Sequence, residues 1–193
     1  MPFSALFLDR DGVINTRLPG QYVTRPSEFR WMPGNPEAIA RLRPFFDYLF
    51  VVTNQQGVGK GLMRPEDLES IHHYMITGVQ QAGGQIDRIY ACPDLKSTPG
   101  NCRKPAPEMG LQAKAEFPGI DFTQSVMVGD SLSDLRFGQA LGMRNVWILG
   151  KREEASAILQ AIEKGLPVWQ RLEGLENLLT VIQREVRGPL PYH

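Results

Sequence analysis

At 193 residues the chain has room for one domain of ordinary size, whose core needs no disulfide or metal staple. Hydrophobic residues make up 42% and charged residues 22%, with Lys plus Arg equal to Asp plus Glu at 21 each. That is a globular composition, and its charge balance gives no reason to invoke nucleic acid or a membrane surface.

No apolar run approaches the roughly 20 residues of a spanning helix. The N-terminus also lacks the charged, apolar and small-residue succession of an export signal. The expectation is a cytoplasmic monomer. Its two cysteines, Cys92 and Cys102, make no disulfide framework and are expected to stay reduced as thiols. Residues 1–187 read as one domain, and 188–193, with two prolines, as a loose tail.

Short unbroken apolar runs at residues 4–8, 48–53, 88–91, 125–128 and 145–149 predict strands buried on both faces. Helical periodicity predicts helices over 36–42, 65–82, 107–115, 132–141, 153–164 and 172–187. Pro36, Pro65 and Pro107 stand where a first helical turn tolerates a missing N–H. Strands alternating with helices mean an α/β fold, a parallel sheet with helices on both faces. Such sheets bind ligands beyond the carboxyl ends of their strands, so the residues after each strand come next.

After the first strand comes Asp9-Arg10-Asp11-Gly12-Val13-Ile14-Asn15. Alternation lets Asp9 and Asp11 face one cleft while Arg10 points away. Carboxylates so close repel unless a cation joins them, and a hard divalent ion such as magnesium suits oxygen ligands. A turn closed by Gly12 explains the segment equally well by itself. After the second strand, Thr53 and Asn54 can hydrogen-bond phosphate oxygens, and a glycine-bearing loop runs from Gly57 to Gly61. This is not a nucleotide-binding P-loop, which needs glycine at 54 and Ser or Thr at 61, where Asn54 and Gly61 stand.

After the third strand, Arg103 and Lys104 precede a proline-rich helix start, and Lys104 could neutralise both a nucleophile and a phosphoryl group. After the fourth, Asp130 could complete a metal's oxygen ligands. Ser131 and Asp134 fit a capping box, which leaves Asp134 open between a structural role and one beside the site. The adjacent His72 and His73 cannot face one metal together and read as half-exposed helix residues. Trp31, Trp147 and Trp169 read as packing residues.

In this order the motifs resemble those of the haloacid dehalogenase superfamily: Asp9-Arg10-Asp11-Gly12, Thr53-Asn54-Gln55, Arg103-Lys104-Pro105, and Gly129-Asp130 with Asp134. Gln21-Tyr22-Val23, Phe29, Pro33-Gly34 and the Gly57–Gly61 loop point to its branch of histidinol-phosphatases and heptose-bisphosphate phosphatases. The resemblance covers residues 3–149. It implies a three-layer Rossmann-like sheet without a separate cap domain, roofed only by loops 16–32 and 92–102.

It also implies a phosphatase of small phosphorylated metabolites. Asp9 would be the nucleophile and Asp11 the acid and base. Magnesium would sit between Asp9, the Asp11 backbone carbonyl and Asp130, with Asp134 behind. Thr53 and Lys104 would hold phosphate, with Asn54 and Arg103 toward the substrate. Heptose 1,7-bisphosphate is the first substrate expectation and histidinol phosphate the second; action on a nucleic-acid terminus and a catalytically silent binding protein are rivals. Many members of the branch carry a zinc loop of Cys-x-His and Cys-x-Cys. Here Asp94 and Gly100 replace two ligands and leave Cys92, Asp94 and Cys102, so zinc is not expected.

Overall fold

The computed structural model describes residues 3–187, so the tail expected at 188–193 lies outside the described residues. Six parallel strands, β1 (Phe3–Leu8), β2 (Phe46–Asn54), β3 (Arg88–Cys92), β4 (Val126–Gly129), β5 (Arg144–Ile148) and β6 (Gln170–Leu172), form one sheet in the order β3-β2-β1-β4-β5-β6. Leu8 pairs with Val51 on one side and with Val128 on the other. This register brings the carboxyl ends of β1, β2 and β4 level with one another.

Helices α1 (Asn35–Leu42), α2 (Gln56–Gly59), α3 (Pro65–Gln81), α4 (Glu108–Glu116), α5 (Leu132–Leu141), α6 (Arg152–Glu163) and α7 (Leu175–Arg187) connect or follow the strands. Alternation in β1 divides the core. Leu6 and Leu8 meet Ile39, Ile71, Met75 and Leu178 of α1, α3 and α7 on one face. Ala5 and Phe7 meet Met109, Ala113 and Phe137 of α4 and α5 on the other. Leu135 of α5 and Ile158 of α6 pack with Trp147. This is the expected three-layer α/β fold, and among the described residues every helix belongs to its layers or connections. Among the described residues no helix is long and apolar enough to cross a membrane.

The five expected strands and six expected helices form, with three corrections. Residues 170–172 make a sixth strand, so the last helix starts at Leu175 rather than at 172. Three residues with two polar members give no apolar run, and only pairing with β5 makes them a strand. The Gly57–Gly61 loop opens with the single helical turn α2. Pro107 precedes α4 as its cap residue rather than sitting in its first turn.

The α5 helix lies close to the sheet because residue 138 has no side chain. A Cβ on Gly138 would lie 1.9 Å from Asn145 Oδ1 and 2.9 Å from Met127 Cβ. Asn145 is itself fixed, donating to Leu135 O at 2.9 Å and Pro167 O at 3.0 Å. Gly138→Ala should therefore destabilise the chain by about 1–3 kcal/mol through overpacking, read as a lower midpoint in urea with an unchanged slope.

Candidate active site

Strand order reverses at β1, and the crevice where β1 and β4 diverge is the natural ligand site of such a sheet. The turn after β1 is tight: Ile14 N and Asn15 N both donate to Arg10 O, at 2.8 and 3.1 Å, and Gly12 N donates to Asn15 O at 2.8 Å. Gly12 adopts a φ of 99°, and a Cβ there would lie 2.0 Å from Asp130 Oδ2. Glycine is needed twice over, for the backbone conformation and for the approach of the β4 carboxylate.

Lys104 is buried at the centre. Its Nζ donates to Asp9 Oδ1 at 2.7 Å and to Val52 O at 2.7 Å, and stands 2.6 Å from Asp134 Oδ1. Three acceptors match the three N–H groups of an ammonium. The second oxygen of Asp134 accepts from Ser131 N at 3.0 Å and Ser131 Oγ at 2.6 Å, closing the capping box of α5. Asp134 thus closes the cap with one oxygen and meets Lys104 with the other.

Carboxylate oxygens of Asp9, Asp130 and Asp134 all lie within 4.8 Å of one another. Burial, followed by the neighbouring Asp134, pushes Asp9 up to about 7 against the pull of Lys104. Burial, with Asp134 and Asp9, pushes Asp130 up to about 8, opposed by Lys151 and Arg17. Three buried carboxylates against one buried ammonium leave a deficit of two positive charges. A hard divalent cation with oxygen ligands fits that deficit and donor set, and Asp9 and Asp130 would hold it.

Asp11 faces the same cleft in the opposite electrostatic state. Its carboxylate accepts from Arg10 Nη2 at 3.1 and 2.8 Å, Asn15 Nδ2 at 2.9 Å and Gln55 Nε2 at 2.8 Å. Burial alone would raise it, but the Arg10 charge and these hydrogen bonds hold it below the usual carboxylate range. Arg10 leaves the cleft as expected, yet it folds back on Asp11 instead of turning free. Arg10 and Gln55 stand inside the first and second motifs and Asn15 just beyond the first, but nothing in those motifs signals this role.

Asn54, expected to face substrate, spends both ends of its amide on Lys104: Nδ2 donates to Lys104 O at 3.2 Å and Oδ1 accepts from Lys104 N at 3.0 Å. It aligns the segment that delivers the lysine. Thr53 is buried and its Oγ1 accepts from Gln55 Nε2 at 2.8 Å. Arg103 reaches the rim, donating to Asp94 O at 3.3 Å.

The thiol expectation is corrected. Cys92 and Cys102 form a disulfide, because β3 delivers one sulfur to the start of the loop and the other stands just before Arg103, with Cα atoms 5.6 Å apart. Asp94 Oδ2 accepts from Cys102 N at 3.1 Å and helps close this loop.

The cleft holds about 850 Å³ and is lined by the loops expected to roof it, with Arg17 and Tyr22 on one side and Lys96 and Asn101 on the other. Backbone bonds from Thr16 N to Arg30 O and from Met32 N to Ile14 O pin the base of the first loop. Lys60, Lys96, Arg103, Arg136 and Lys151 also line the cleft, Lys151 being paired with Glu154.

Residues 101–175 match a family model described as HAD-hydrolase-like. A D-glycero-β-D-manno-heptose-1,7-bisphosphate 7-phosphatase of Pasteurella multocida is 32% identical over 172 residues, covering 82% of this chain and 92% of that protein. The chain belongs to the heptose-bisphosphate phosphatase family of haloacid dehalogenase-like hydrolases.

A D-glycero-α-D-manno-heptose-1,7-bisphosphate 7-phosphatase of Mycobacterium tuberculosis is 45% identical over 130 residues, 67% of this chain and 68% of that one. Among solved structures, the D,D-heptose 1,7-bisphosphate phosphatase of B. bronchiseptica, complexed with magnesium and phosphate, is similar at a TM-score of 0.83 and 31% identity. The match covers 94% of this chain and 99% of that one.

The raised affinities of Asp9 and Asp130 for protons fix the sign of a pH effect. Without a cation the folded chain favours the protonated acids. This contribution to stability is complete below about pH 4 and is lost as pH rises through about 7 and 8. The melting temperature of the metal-free chain should therefore fall between pH 5 and 9, and the upward shift given by added magnesium should grow over the same range.

Proposed function

We propose that this chain is a magnesium-dependent D-glycero-D-manno-heptose-1,7-bisphosphate 7-phosphatase that works through an aspartyl phosphate on Asp9. The observation that carries the reading is the buried group of Asp9, Asp130 and Asp134 around Lys104, two positive charges short, at the crevice between β1 and β4.

Magnesium, held by Asp9 and Asp130, would supply positive charge against the phosphoryl oxygens. Lys104 offsets the negative charge that gathers as Asp9 and the phosphoryl group meet, and it opposes the burial that raises the nucleophile's proton affinity. Thr53 stands at the end of β2 to position a phosphate oxygen. Asp9 attacks phosphorus, and the sugar hydroxyl leaves with a proton from Asp11. Asp11 then takes a proton from the water that hydrolyses the aspartyl phosphate. Its resting ionisation suits the second step; the charge of an arriving phosphate raises its proton affinity for the first.

The cleft lining of Lys60, Lys96, Arg103 and Arg136 favours a substrate with a second anionic group. Histidinol phosphate would carry its own ammonium into that cationic lining, which argues against it as the preferred ester. Intact nucleophile, acid and lysine also argue against a silent binding protein.

The test is phosphate release, with magnesium, from both anomers of heptose 1,7-bisphosphate, the heptose 7-phosphate and histidinol phosphate. The bisphosphates should rank first. Asp9→Asn should abolish turnover, and Arg103→Ala should raise KM about tenfold for the bisphosphate while leaving the 7-phosphate nearly unchanged. Release from none of these esters would overturn the reading.

A further inference from the structure

We infer that His72 and Arg10 are positioning residues that together hold the Asp11 carboxylate in its proton-transfer orientation. The inference rests on the phosphatase reading above and extends it to a side chain on α3. His72 stands 62 positions from Arg10 in sequence and outside the four strand-end motifs.

Arg10 is the largest fully buried side chain among the described residues. Burying a guanidinium costs several kcal/mol unless partners satisfy it. Its partners stand on two sides: Nη2 grips Asp11, and Nη1 lies 3.3 Å from His72 Nε2, while Nε has none. A guanidinium can only donate, so His72 Nε2 accepts and the ring is neutral, with its proton on Nδ1. Burial and the Arg10 charge, which push His72 down to about 3, agree with that neutral state.

With Nε unpartnered, the two Nη contacts fix how the guanidinium plane is turned, and that plane sets the direction of the Asp11 oxygens. His72 also lines a separate groove of about 780 Å³ with Glu66, Glu69, Asp87 and Arg88. The seat of α3 is thereby transmitted to the acid and base. Asp9, Asp130 and Lys104 make no hydrogen bond to the side chain of His72 or Arg10, and Thr53 is joined to Asp11 only through Gln55 Nε2, so the pair acts on Asp11 directly and on the phosphate and cation ligands at most at second hand.

The test uses leaving groups. A sugar phosphate expels an alkoxide that needs Asp11's proton, whereas p-nitrophenyl phosphate expels a phenolate that needs none. The ratio kcat/KM reports formation of the aspartyl phosphate alone and separates the two. His72→Leu should lower kcat/KM for the sugar phosphate about tenfold, through kcat, with a change under about twofold on p-nitrophenyl phosphate. His72→Gln, whose amide oxygen can accept in place of Nε2, should recover most of the loss. Arg10→Lys keeps the charge but cannot bridge both partners, and should show the same selective loss; it serves if His72→Leu fails to fold.

Equal losses on both esters, or none, with an active wild-type chain would overturn the inference while leaving the phosphatase reading standing. A wild-type chain that hydrolyses neither ester would overturn that reading and the inference with it.

Discussion

A single ammonium buried among carboxylates ties the site to the fold. Lys104 joins the Asp9 carboxylate after β1, a carbonyl of β2 and the cap of α5 through one atom. Charges taken out of water cost several kcal/mol each unless paired, so these segments cannot separate without exposing an unpaired ion. The remaining deficit of positive charge makes the cleft a receptor for a divalent cation. What is left over after folding becomes the driving force for binding.

Two carboxylates, Asp9 and Asp11, stand two residues apart in opposite states. Burial among other acids raises Asp9, while Arg10, Asn15 and Gln55 lower Asp11. Pairs of titratable groups driven apart by their surroundings mark a division of labour between them. Here the division follows from strand geometry: Asp9 lies against β4 and its acids, and Asp11 sits in the turn, where the backbone brings Arg10 round to meet it. Gly12 makes both possible by leaving room for Asp130.

Most of this was legible in the sequence because buried parallel strands announce themselves as apolar runs and place chemistry at their ends. Asp9, Thr53, Lys104 and Asp130 were legible on that ground. Elements whose identity depends on partners were not. The Gln170–Leu172 strand exists only through its pairing with β5. His72 is the half-exposed helix residue the sequence suggests, but its contact with Arg10 spans 62 positions that no local pattern encodes. Asn54 was placed toward substrate because its amide suits phosphate, but the Lys104 backbone already occupies both of its ends. The Cys92–Cys102 bond depends on the loop that brings the two sulfurs together, which two isolated cysteines in a sequence do not reveal.

On the proposed reading, the open cleft with its lining of cations governs which ester enters, whereas the buried cluster governs what is done to it. The second claim is the central one, and trapping the intermediate tests it most directly. A short reaction of the magnesium-loaded chain with its phosphate ester should be quenched in acid, digested and examined by mass spectrometry. The account predicts one added phosphoryl group on the peptide containing Asp9, absent from Asp9→Asn. Phosphoryl transfer to another side chain, or rapid turnover with no labelled peptide under conditions that preserve acyl phosphates, would contradict it.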